Sequence, residues 1–144
     1  MDEQYIQRAI EPKSDQLNAD DVMSQDRTIT VTKVTQGSSE QPVYIFFEGE
    51  DKKSYRPCKS MLRAISHCWT IKAKNWVGRS MVLYCDPKVK FGGIEVGGIR
   101  IRAMSHIEKR TSIPLTASRG KKKMHVIEPL AAPVAELPLD ELKA

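Results

Sequence analysis

Alternation of apolar and polar positions opens the core of this chain. Thr28-Ile29-Thr30-Val31-Thr32-Lys33-Val34 is β-branched and alternating, and Val43-Tyr44-Ile45-Phe46-Phe47 follows a turn-like Gln36-Gly37-Ser38-Ser39 stretch, so a first hairpin is predicted. A turn at Glu48-Gly49-Glu50-Asp51 leads to a third short strand, Ser54-Tyr55-Arg56, ended by Pro57, which cannot donate to a ladder. The period then changes. Met61, Leu62, Ile65, Cys68 and Trp69 fall on one face of a helix of about three turns, with Ser60 as its expected cap and Arg63, Ser66 and His67 facing outward. Beyond Asn75-Trp76-Val77-Gly78 the β pattern resumes in Met81-Val82-Leu83-Tyr84-Cys85 and Lys88-Val89-Lys90-Phe91. Gly92-Gly93 is a hairpin loop that sets Lys90 opposite Glu95 and Val89 opposite Val96. Continuing that register would mix core with surface, because Leu83 would share a face with Arg102. A bulge or bend at Gly97-Gly98 is therefore expected, bringing Met81 and Leu83 onto Ile99 and Ile101 and turning Arg100 and Arg102 outward.

Three strands, a helix and two strands, in that order, predict a mainly β protein. The expected fold is an OB-fold, a five-stranded Greek-key barrel with one helix between strands three and four. An SH3-like barrel would not place a three-turn helix there, and a parallel α/β sheet needs helices between most strands. The barrel is expected over residues 27–110. Residues 1–26 read as a polar acidic arm in which Asn18 caps one short turn, and residues 111–144, with four of the eight prolines and a Lys121-Lys122-Lys123 run, read as a flexible tail. At 144 residues the chain suits one core and not two.

Charge is divided unevenly among these parts. Residues 1–26 hold seven acids against two bases, residues 27–110 hold sixteen bases against seven acids, and residues 111–144 are near balance, so the body is the cationic part of a chain whose net charge is +5. A basic compact body attracts polyanions, nucleic acid first among them. No stretch reaches the roughly 18 apolar residues a membrane span requires, and Met1-Asp2-Glu3-Gln4 is acidic where a secretory signal is basic. Cys58, Cys68 and Cys85 are odd in number without Cys-x-x-Cys spacing, which suits a reducing cytoplasm and suggests neither a disulfide framework nor a zinc site.

An OB barrel binds oligonucleotides on its second and third strands and through the loop between strands four and five. Assigning Val43, Ile45 and Phe47 to the core leaves Tyr44 and Phe46 as stacking platforms, the alternative being that Phe46 packs under the arm or in a subunit contact. Tyr55 and Arg56 lie on the neighbouring strand. Lys88, Lys90 and Phe91 form a basic, aromatic-tipped hairpin, and Arg100 and Arg102 line its return strand, with Lys52, Lys53 and Lys59 as extensions. Lysines at a sheet edge also guard against aggregation, an alternative account of Lys88 and Lys90.

Catalytic and cofactor constellations are missing from the pattern. The glycine doublets fit neither Gly-x-Gly-x-x-Gly nor Gly-x-x-x-x-Gly-Lys-Ser/Thr. His67, His106 and His125 are scattered, and no carboxylate cluster has the spacing of a two-metal site. The expectation is a protein that is not an enzyme and carries no metal or cofactor.

Three strings, Tyr55-Arg56-Pro57-Cys58-Lys59-Ser60-Met61, Trp76-Val77-Gly78-Arg79-Ser80-Met81 and the run from Asp86-Pro87-Lys88 to Gly98-Ile99-Arg100-Ile101, together with the opening Ile10-Glu11-Pro12-Lys13, resemble a family of small proteins encoded by tailed bacteriophages and prophages. The likeness covers about residues 10–107. It implies a link to phage DNA replication or recombination in a bacterial host cell and supplies no catalytic residues. The expected partner is single-stranded DNA, with a phage or host replication or recombination protein as a further one and no membrane. The competing expectation is an OB-fold protein-interaction module, an inhibitor or adaptor, that leaves nucleic acid alone. The acidic-apolar end Glu136-Leu137-Pro138-Leu139-Asp140-Glu141-Leu142 resembles, in composition, the partner-recruiting tails of bacterial single-strand binding proteins.

Overall fold

One long strand organises the molecule. In β1 (Arg27–Gln36) the β-branched alternation turns Ile29 and Val31 into the core. Its first half pairs antiparallel with β3 (Ser80–Asp86), and its second half with β2 (Val43–Phe47). Between the halves Val31 faces Phe47 and Lys33 faces Phe46, so Thr32 is an extra residue, and such a bulge bends the strand from one partner to the other. The computed structural model describes residues 2–10, 15–50, 52–91, 94–95, 97–118 and 121–130, with the backbone alone at 7–10, 90–91, 94–95, 116–118 and 121–122.

The rest of the sheet is built outward from β3. β6 (Gly98–Met104) pairs antiparallel with β3, β8 (Lys121–Pro129) runs parallel to β6, and β7 (Thr111–Ser118) closes the series against β8, giving the order β2-β1-β3-β6-β8-β7. A separate small hairpin joins β4 (Lys90–Phe91) to β5 (Ile94–Glu95) with Lys90 opposite Glu95, as the sequence predicts. Val96, its expected partner for Val89, lies outside the described residues.

The protein is mainly β, but its sheet is open, mixed and six-stranded rather than a closed five-stranded barrel. The expected third strand shrinks to two single-residue bridges, Ile45 with Tyr55 and Gln16 with Ser54. The reason lies in the amino-terminal segment: Leu17 N–H donates to Ser54 O (2.8 Å) and Ser54 N–H to Asp15 O (3.2 Å), which uses the backbone groups a closing strand would need. The arm is thus partly structural. After α1 (Glu3–Ile10), Leu17 and Val22 are both buried at 1%, and a short helical turn, Ala19–Val22, starts at Asn18, whose N–H donates to Asp21 Oδ2 (2.7 Å).

Part of the segment expected as a flexible tail is paired: β7 and β8 run antiparallel to each other, with Ile113 and Ile127 buried. Pro114 is tolerated because β7 is an edge strand. Residues 131–144, including the acidic-apolar end, lie outside the described residues.

The helix α2 (Lys59–Trp69) covers one face of the core with Met61, Ala64, Ile65 and Trp69. Cys58, not Ser60, occupies its capping position: the helix begins directly after the extended Cys58 that follows Pro57, so Ser60 falls inside the first turn. Trp69 Nε1–H donates to Ser105 O (2.7 Å), and Ser105 Oγ accepts from Ser80 N–H (2.9 Å), so buried polar groups at this end are paired.

The parity break predicted at Gly97-Gly98 sits elsewhere. Val82 faces Ala103 and Leu83 faces Ile101, which makes Arg102 the extra residue. Ile101 and Leu83 meet inside as expected, while Met81 pairs with Met104. The glycines serve the hairpin root instead: Gly97 takes a left-handed φ of 82°, and a Cβ on Gly98 would stand 2.8 Å from Val89 Cγ1.

Candidate nucleic-acid interface

The extra residue in β6 places Arg102 on the outer surface beside Tyr84. Its guanidinium carbon lies 4.2 Å from the Tyr84 ring centroid, and the His125 ring lies parallel to Tyr84 (9° between planes, centroids 6.5 Å apart). His125 is held by β8 where that strand parts from β6. The backbone pairing ends at Ala103 and Glu128, and His125 Nε2 meets Ile101 O at 2.6 Å, so Nε2 carries the proton and donates it. A cleft of about 480 Å³ opens between the diverging strands and the hairpin root, lined by Tyr84, Asp86, Lys88, Arg100, Lys123 and His125 among others. Partial burial, then Asp86, push the Tyr84 phenol pKa upward against Arg102 and Arg100.

Of the residues expected to bind, Lys88 and Arg100 line this cleft and Arg102 sits over its tyrosine. Lys90 and Phe91 have side chains outside the described residues. Tyr44, Phe46 and Arg56 stand elsewhere, each engaged locally. Phe46 is half-buried under Lys33 (4.4 Å). Tyr44 has the Arg56 guanidinium 3.9 Å from its ring centroid and lies so near Gly37 that a Cβ there would come within 2.4 Å of its Cε1. Arg56 in turn is pinned by the arm, 3.2 Å from Asp15 Oδ2, with its side chain only 10% exposed. The single furrow of rings and cations implied by the sequence is therefore divided. Lys53, one of the expected extensions, pairs with Asp21 (3.2 Å), while Lys52 and Lys59 are exposed.

Tyr55 is a correction. Its side chain is 2% exposed and belongs to the core, because the bridge to Ile45 turns it inward, so its ring cannot stack on a base. Its hydroxyl has no hydrogen-bond partner, and burial pushes its pKa well above the ordinary phenol value of 10.0. The folded state then holds the proton that the unfolded state gives up, so this group's contribution is intact below pH 10 and erodes above it. Urea unfolding between pH 10 and 12 is expected to lose about 1.4 kcal/mol per pH unit through this group. Tyr55→Phe should remove that one-proton component; an identical pH slope in the variant would refute the assignment.

Tyr84, Lys123 and His125 were not singled out by sequence reasoning. The sequence carries little signal for them: Met124 and Val126, the apolar residues flanking His125, are exposed, and Ile127 alone marks the inner face of β8 after the lysine run. Among the described residues no group of three or more His, Cys, Asp or Glu side chains gathers to hold a metal ion, and no helix is long and apolar enough to cross a membrane. Comparison of the chain with protein-family models, with curated proteins and with solved structures finds no match.

Proposed function

We propose that this is a non-enzymatic single-stranded-DNA-binding protein that holds its strand without strong sequence preference during phage-type replication or recombination, in the cytoplasm of a bacterial host. The carrying observation is the parallel Tyr84 and His125 rings in a cleft whose charged lining is mostly cationic, Lys88, Arg100 and Lys123 against Asp86, with Arg102 beside it. Planar faces stack on bases of any sequence, and the cations meet the phosphates. We read the sheet as an OB-type arrangement left unclosed: β1 pairs with both β2 and β3, α2 precedes β3, and β6 returns beside β3. The resemblance to phage proteins supports the setting.

Fluorescence anisotropy with labelled oligothymidylate tests the reading. Four phosphate contacts, one each from Lys88, Arg100, Arg102 and Lys123, give an expected log–log salt slope of about −3, at about −0.7 per contact on a single strand. Flat curves at low salt would overturn it in favour of the protein-interaction module.

The arm sets a further expectation. Asp26 Oδ2 lies 2.7 Å from Arg102 Nε, and both side chains are about half exposed, so the pair adds little to stability while it neutralises a cation that DNA needs. Asp26→Asn is expected to tighten oligothymidylate binding about two- to fivefold, equivalent to at most ~1 kcal/mol, with an unchanged melting temperature. Weaker binding would show that Asp26 orients Arg102 rather than masking it.

A further inference from the structure

An apolar groove of about 400 Å³ lies where the end of α2 and the short helical turn after it (Ala73–Trp76) meet β1 and β2, and it shares no lining residue with the cationic cleft. Its wall is mostly apolar: Val34 and Val43 from the sheet, Leu62 from α2, and Ile71, Ala73 and Trp76 beyond it. Ile71 is 85% exposed, more than any other large apolar side chain among the described residues. The backbone holds it there. Thr70 ends α2 at φ 79° and ψ 170°, a region almost reserved for glycine, and this strained turn is pinned by Thr70 N–H donating to Ser66 O (2.9 Å) and Trp76 Nε1–H donating to Thr70 O (3.0 Å). Strain retained beside an exposed isoleucine fits a surface that has an occupant. The flanking charge is cationic. Residues 59–79 contain Lys59, Arg63, Lys72, Lys74 and Arg79 and no Asp or Glu; Arg63, Lys72 and Lys74 are exposed and take part in none of the ion pairs among the described residues. The acid nearest in the chain to any wall residue is Glu40, two positions before Pro42. An apolar groove flanked by bases suits an acidic peptide that carries leucines.

We propose that the groove receives residues 136–142 of this same chain, with Leu137, Leu139 and Leu142 filling it and Glu136, Asp140 and Glu141 meeting Arg63, Lys72 and Lys74. Chain length supports the intramolecular fit. The described fold ends at Leu130, whose N–H donates to Met104 O (2.9 Å), and beside Met104 the Ser105 carbonyl accepts from Trp69 Nε1–H (2.7 Å) at the last turn of α2. Ser66, in that same turn, lines the groove. The six residues from Leu130 to Glu136 can span about 20 Å, more than a helix diameter of about 10–12 Å. A connection that short sets an effective concentration of about millimolar order, so a contact too weak to hold a separate peptide is filled by the chain's own segment. The acidic end is thereby held on a face that leaves the cleft free, and the assignment does not depend on what the cleft binds.

The experiment compares amide spectra of the full chain, without nucleic acid, with those of a full-length variant carrying Leu137→Ser, Leu139→Ser and Leu142→Ser. Displaced resonances at Ser66, Ile71 and Ala73 are expected in the variant. A free peptide with the sequence of residues 134–144 should return them toward their original positions, and it should bind the unaltered chain about tenfold more weakly, because there the chain's own segment competes. Ile71→Ser, at a position the fold leaves exposed, should reproduce the displacement at Ser66 and Ala73 and abolish binding of the peptide when combined with the leucine changes. Groove resonances that the leucine changes leave untouched overturn the assignment. So do peptide-induced shifts that gather at Tyr84 and Arg100, which would place the acidic segment in the cleft. Resonances at Ile71 that move with protein concentration overturn it in favour of a segment supplied by a second copy.

Discussion

Tyr84→Leu is expected to weaken oligothymidylate binding about ten- to a hundredfold, which corresponds to the roughly 1–3 kcal/mol carried by one aromatic–base stack. Leucine keeps apolar bulk at a half-buried position, so the melting temperature should fall by only a few degrees. Two consequences separate this from a packing defect. The salt slope should be unchanged, since the leucine removes a ring face and not a phosphate contact. Tyr44→Leu should leave affinity nearly untouched, because Tyr44 is already engaged by Arg56 and lies close against Gly37. Anisotropy titrations at two salt concentrations measure all of this, and equal losses from the two variants would move the binding face to β2.

That contrast shows which parts of the site could be read from residues alone. Alternation located β1, β2 and β3, and the change of period located α2, because in each the pattern follows directly from which side of one element is buried. The aromatic–cation pairing at Tyr44 and Arg56 was visible as two neighbouring strands, but not its satisfaction. Asp15, which fixes Arg56, is 41 positions away and reaches it only because the arm adds beside Ser54. Arg102 was expected to face outward and does, though by a bulge at its own position. Sequence parity requires one inserted residue somewhere along β6 and cannot say where, and packing of Met104 and Ile101 against β3 decides it.

Tyr84 and His125 illustrate the harder case. Tyr84 alternates with buried Leu83 and so is outward-facing on any strand reading, but an exposed tyrosine carries no function without its neighbours. Those neighbours come from β8, whose Lys121-Lys122-Lys123 entry and nearby prolines carry the composition of a solvated segment. What keeps it in the fold is Ile127, fully buried, together with Ile113 across the hairpin, and two apolar side chains in a polar stretch are too few to read as a strand. Thus the half of the site supplied by β3 and β6 follows from local pattern, and the half supplied by β8 depends on a non-local parallel pairing through Ala103 and Met104.

The same reasoning gives the largest stability effect expected here. Leu17 lies in a segment whose composition is that of a free arm, but its side chain is 1% exposed, and its N–H donates to Ser54 beside the point where the sheet stays open. Leu17→Ala should cost about 2–5 kcal/mol, the range for deleting a leucine side chain from a packed interior, measured by urea unfolding at neutral pH. Tyr5→Ala, on the 61% exposed side chain of α1, should cost little, within about 0.5 kcal/mol. A small loss at Leu17 would mean that the arm detaches without disturbing the core. In that event Ser54 regains free backbone groups, the sheet edge becomes available for a closing strand, and Arg56 and Arg102 lose the carboxylates that hold them. Binding should then strengthen as stability stays constant. The expected outcome is the opposite coupling, a large loss of stability on truncating Leu17, because the segment that supplies the acids is also the one that seals the seam.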